Sequence, residues 1–173
     1  RLFLAARSAV PASRLLFQNP VASVLGVAER VLAGEIAYRA GEVEPAFALL
    51  REAVALDRGL AYDEPWGWMQ PVEHALGALL VDQGRFDEAL AVYESNLRRY
   101  PENGWALNGM AECLEGLGRT AEADDVRARF ARAWERADTP IPGSCFCRVR
   151  PEPRPVEVPV DESWGPGAYV AVH

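Results

Sequence analysis

The chain contains no lysine; all 18 of its basic residues are arginine. That excludes a phosphate-gripping loop built on lysine and a Schiff-base lysine. Histidine occurs only as His74 and His173, so an HExxH zinc helix is not present. The cysteines are Cys113, Cys145 and Cys147. They are too few for a disulfide framework and fit a redox-neutral, cytoplasmic setting. No apolar run approaches the roughly 18 residues of a membrane span. Net charge is −7, which argues against nucleic acid as a general partner. The chain opens on Arg1 rather than Met, which leaves a preceding targeting segment open.

What is present is an ordinary soluble composition, 50% hydrophobic and 25% charged, in 173 residues. That length suits one domain with a real core. Its organising stretch is Gln70 to Asn103. Small Gly77 and Ala89 alternate there with large Leu76, Leu80, Phe86, Tyr93 and Leu97 at helical spacing. Small residues let two antiparallel helices approach closely. Gly84 tolerates a positive φ at the end of a first helix. Pro101 stops the second, because it donates no helical hydrogen bond.

The stretch resembles a tetratricopeptide repeat, a helix–turn–helix unit of 34 residues. The residues that match are Leu76, Gly77, Leu80, Gly84, Phe86, Ala89, Tyr93 and Pro101. Gly84 and Gly118 are 34 residues apart, as are Ala89 and Ala123, which sets a third unit over Gly104 to Ala137. Val27 to Leu60 is a degenerate first unit, with Gly34, Gly41, Ala46 and Ala53 in the corresponding slots. Its helices are expected over Val21 to Arg39 and Pro45 to Asp57. Phe130 stands where the repeat usually has a small residue, which points to a terminal helix packed differently. The run YDEPWGWMQPVEHALGALL and the later SCFCR together resemble a group of tetratricopeptide proteins from bacteria and fungi, one that brings no activity with it.

The expected fold is therefore all-α: a solenoid of about three helix hairpins over residues 21–138. A covering segment, 1–20, precedes it. A Pro-rich extension, 139–173, follows, with β-favouring runs at 156–160 and 168–172 suited to a hairpin. The expected function is a scaffold for protein–protein interaction. Its concave groove and the aromatic insertion at residues 61–71 would bind a protein or peptide.

The candidate binding residues are Tyr62, Asp63, Glu64, Trp66, Trp68, His74, Trp105 and Asn108. Tyr and Trp supply large rigid area with a polar handle. The prolines of the insertion lower the entropy cost of ordering it. Register places His74 and Trp105 on the concave side, with Glu35, Tyr38, Arg39, Asp82, Asn108, Glu112 and Glu115. Tyr62, Trp66, Trp68, His74 and Trp105 are expected to converge at one end of the groove. Acids outnumber bases there, so a cationic segment suits it. No complete catalytic constellation is visible, and the chain is not read as an enzyme. The alternative is a metal-binding or redox protein using Cys145 and Cys147, with His74. C-x-C spacing lets two thiolates reach copper or zinc. Otherwise no cofactor is expected.

Overall fold

The computed structural model describes residues 1–148. The hairpin expected within 156–172 lies outside them. A short helix, α1 (Leu2–Ser8), leads to a small ribbon of β1 (Leu15–Leu16) and β2 (Asn19–Pro20), paired Leu15 with Pro20 and Leu16 with Asn19. Six helices then stack as three antiparallel hairpins: α2 (Val21–Arg39) with α3 (Val43–Arg58), α4 (Glu73–Asp82) with α5 (Phe86–Arg99), and α6 (Gly104–Gly116) with α7 (Thr120–Ala133). The fold is the all-α solenoid that the 34-residue recurrence implies. No strand interrupts it between Val27 and Ala137.

One turn is made three times. Gly41, Gly84 and Gly118 have φ of +84°, +69° and +73°. At each, the following residue returns its N–H to a carbonyl in the last turn: Glu42 to Ala37, Arg85 to Leu80, Arg119 to Leu114, all at 2.9 Å. That is the left-handed cap that glycine accepts without strain. The same following residues accept the first bond of the next helix, from Ala46, Ala89 and Ala123 at 3.0 Å. These alanines are buried, so the turn chemistry and the close helix contact are set by neighbouring residues.

The main core runs from Phe47 and Leu50 of α3, through Leu76, Leu79, Leu80 and Tyr93, to Leu107, Leu114, Ala123 and Val126. Val27, Ala53 and Val72 form a second, smaller cluster under the insertion, with Leu60 and Trp68 against it. The last helix stops at Ala133, sooner than the expected end near Ala137. There Phe130 stacks on Trp134 with centroids 5.7 Å apart, and the Trp134 indole N–H donates to the carbonyl of Thr139 at 2.8 Å. The oversized residue in the small slot thus steers the chain back over the solenoid.

Candidate functional site

After Trp134 the chain returns across the first helices of the hairpins. Residues 143–148, ending in a 3-10 turn over Phe146–Arg148, lie against α2, α4 and α6. The contacts are specific. The Arg39 guanidinium donates to the carbonyl of Cys147 at 2.5 Å. The Arg148 guanidinium pairs with Glu112 at 2.7 Å, and Glu112 raises the Arg148 pKa. The Phe146 ring meets Trp105 edge-on at 5.7 Å. Trp105 in turn stands edge-on to Trp134 at 5.6 Å.

Ser144 is buried, 2% exposed. Its hydroxyl donates to the carbonyl of His74 at 3.0 Å and lies 2.5 Å from the hydroxyl of Tyr93. A serine has one proton to give, so Tyr93 donates to it. Tyr93 belongs to a second helix and reaches this face by passing between two first helices. A Cβ on Gly77 would come within 2.5 Å of its ring, and one on Gly109 within 2.3 Å. Both glycines are therefore required by the ring. Burial pushes the Tyr93 phenol well above its usual range, so it stays a donor.

His74 lies beside this contact. Asn103 caps α6 through its side-chain oxygen and brings its amide nitrogen 3.1 Å from His74 Nε2. Burial drives the His74 pKa down to about 4, against Glu73 and Asn96, which pull it upward. The ring is neutral near pH 7, with Nε2 accepting. Asn96 adjoins it, yet both of its amide atoms lack a hydrogen bond of good geometry among the described residues.

The insertion forms a different place. Tyr62, Trp66 and Trp68 line a cavity of about 260 Å³ with Asp57, Leu60, Ala61, Arg99 and Tyr100. Trp66 packs on Tyr100 with centroids 4.5 Å apart. Burial pushes the Asp57 carboxyl up to about 6, with Glu73 adding to the rise and the Val72 N–H and nearby arginines opposing it. The N-terminal ribbon braces the insertion from outside. Asn19 is buried and exchanges two hydrogen bonds with Ala61, and the Gln18 N–H donates to Asp63 at 3.3 Å.

The candidate residues are therefore divided. His74 and Trp105 touch the groove. Tyr62, Trp66 and Trp68 surround the cavity between the C-terminal ends of α3 and α5, so the expected convergence of all five at one end of the groove does not occur. The insertion is drawn to Asp57 and Tyr100 by ring packing and by the Asn19 clasp. Asp63 is buried as an acceptor for the N-terminal ribbon and the Glu64 N–H. Glu64 is held by the Tyr62 hydroxyl. Asn108 accepts from Arg127, which also pairs with Glu115. Tyr38 donates to Asp82 and accepts from Gln83.

Cys145 and Cys147 are paired with each other as a disulfide. Among the described residues no three His, Cys, Asp or Glu side chains are grouped to hold a metal. Cys113 is buried, and burial holds its thiol high, at about 12. Sequence reasoning missed Tyr93, Ser144, Phe146 and Arg148 as groove residues. Gly109 was the available signal: it falls two residues before Ala111, which stands 34 residues after Gly77 in the small slot, and has no place in the period.

No described helix is long and apolar enough to cross a membrane. Residues 80–136, about a third of the chain, match a tetratricopeptide repeat family model. They run from the end of α4 through α7. No curated protein and no solved structure matches the chain. Helical repeats of this kind generally serve as protein-interaction scaffolds through extended concave surfaces.

Proposed function

We propose that the chain is a peptide-binding scaffold that holds a cationic segment of a partner protein in the groove of α2, α4 and α6. One observation carries this reading: that groove accepts a chain segment, residues 143–148, through backbone, charged and aromatic contacts at once. The arginine of that segment faces Glu112, and Asp82 also favours its charge. An acidic groove selects a cationic partner chiefly through on-rate and specificity. The insertion adds a second contact surface in this reading, because its rings offer rigid area with polar handles. The proteins that share the YDEPWGWMQP and SCFCR runs would work in the same way.

The test is titration of a short Arg-rich peptide into the full chain, followed by tryptophan fluorescence. The expected result is saturable binding that, on the chain carrying Arg148→Ala so that the resident segment makes no use of Glu112, weakens with salt and with Glu112→Gln, while a Glu-rich peptide of equal length is inert. Equal binding of both peptides, or no response to either, overturns the reading. The metal alternative rests on two sulfurs that are joined to each other, with no third ligand grouped with them among the described residues.

A further inference from the structure

The groove holds its occupant by three features in fixed register. Ser144 fits an enclosed polar socket made by the Tyr93 hydroxyl and the carbonyl of His74. Two residues on, Phe146 stands against Trp105 and is otherwise exposed. Two further on, Arg148 reaches Glu112. Gly143 is buried, but a Cβ there would meet its nearest neighbour, Arg148, at an ordinary 3.6 Å, so any small residue serves. Of the two cysteines between these positions, Cys147 meets the groove through its carbonyl, which accepts from Arg39, and through its sulfur, which packs on the core beside the Ala75 carbonyl, so this position takes a side chain of cysteine or serine size.

From this geometry we infer that the partner segment has the form small–Ser–x–aromatic–small–Arg, and that residues 143–148 are a resident copy of it which the partner must displace. The inference rests on the groove reading above and narrows it. The socket sets the strictest demand. It offers one donor, from Tyr93, and one acceptor, from His74, which a serine hydroxyl satisfies together. Alanine leaves both unpaired. A phosphoserine brings acceptor oxygens against the His74 carbonyl in a space sized for a hydroxyl, so phosphorylation of the partner's serine closes the groove to it. The aromatic position demands only a ring edge, and the last position a cation. A resident segment on the same chain competes at high effective concentration. Weakening it therefore raises the affinity for a peptide in trans.

The experiment uses the full chain and a fluorescein-labelled peptide, GSSFSR, in which serines replace both cysteines to prevent thiol exchange. Weak binding is expected to the natural chain, and binding at least about fivefold tighter to Arg148→Glu, whose resident segment is repelled by Glu112. Peptides with the first serine changed to alanine or phosphoserine, the phenylalanine to alanine, or the arginine to glutamate should each bind at least about fivefold more weakly. Tyr93→Phe, which removes only the hydroxyl, should erase the preference for the first serine. Melting curves establish that each variant is folded. A scrambled peptide that binds as well as GSSFSR overturns the motif and leaves the cationic scaffold standing. Loss of binding to every Arg-bearing peptide overturns both. An Arg148→Glu chain that becomes a dimer and ignores the peptide overturns the motif in favour of segment exchange between copies.

Discussion

The groove and the ring-lined cavity meet within three residues at the start of α4. The Val72 N–H bonds Asp57 at the cavity, while the carbonyl of His74 accepts Ser144 in the groove. The cavity is made of rings, and its contacts are broad and weakly directional. The groove is made of donors and acceptors in opposition: Tyr93, Arg39, Glu112 and two carbonyls. Aromatic residues gather easily wherever apolar surface needs cover. A buried hydroxyl must have its partner in place or lose about 1–3 kcal/mol. Density of tryptophan therefore marked the place with the less directional contacts, and a plain serine the place with the more directional ones.

The largest test of this contrast is Gly109→Leu. The side chain would occupy the path of the Tyr93 ring and destabilise the fold by about 3 kcal/mol or more. Urea denaturation should show it, and unchanged melting would remove Tyr93 as the link between helices. Gly77→Leu should behave alike, for the same reason.

Acid titration separates the two places next. The folded pKa of His74, about 4, lies below the ordinary 6.5. Its contribution to stability is present above pH 6.5 and is lost as pH falls to about 4, amounting to about 2–3 kcal/mol. Asp57, raised from 3.8 to about 6, runs the other way: its contribution is present below about pH 4 and is lost as pH rises through 6. That effect is smaller, since part of the carboxyl sees water. His74→Asn should leave stability rising as pH falls from 6 to 4, and Asp57→Asn should make the natural loss steeper. Parallel pH profiles for both variants would refute the opposition.

Trp66→Ala removes the packing on Tyr100 and should lower stability by about 1–2 kcal/mol, with no change in the charge response of the groove. A double-mutant cycle on Glu112 and Arg148 should give the smallest effect, a coupling of about 0.5–1 kcal/mol that fades in high salt.

Much of the fold was written in local signals. The recurrence of Gly84 with Gly118 fixed two turns, and the bounds of α2 follow from Pro20 and Gly41, which flank it. The groove was harder to read. Ser144 and Arg148 lie in a Pro-flanked stretch that has no period, and what gives them partners is a return path set by Trp134 and Thr139. Tyr93 fitted its repeat slot as a core residue and gave no sign of a hydroxyl emerging on the other face. The insertion read as part of the groove's binding surface because its composition is that of binding surfaces. Asn19, 42 residues from Ala61 in the chain, holds it elsewhere, and no local pattern predicts that clasp.

Stacked repeats ordinarily melt as a row of nearly independent units, each coupled only to the next. Tyr93 changes that accounting. Its ring lies between the glycines of α4 and α6, and its hydroxyl holds the returning segment, so one side chain spans two hairpins and the chain beyond them. Those elements form a single cooperative block, and amides in α4, α6 and residues 143–148 should exchange with solvent through the same opening event. Under the displacement inferred above, a scaffold that releases its own segment without unravelling needs such a block. The repeats can then let go of the segment as one body rather than fray from an end.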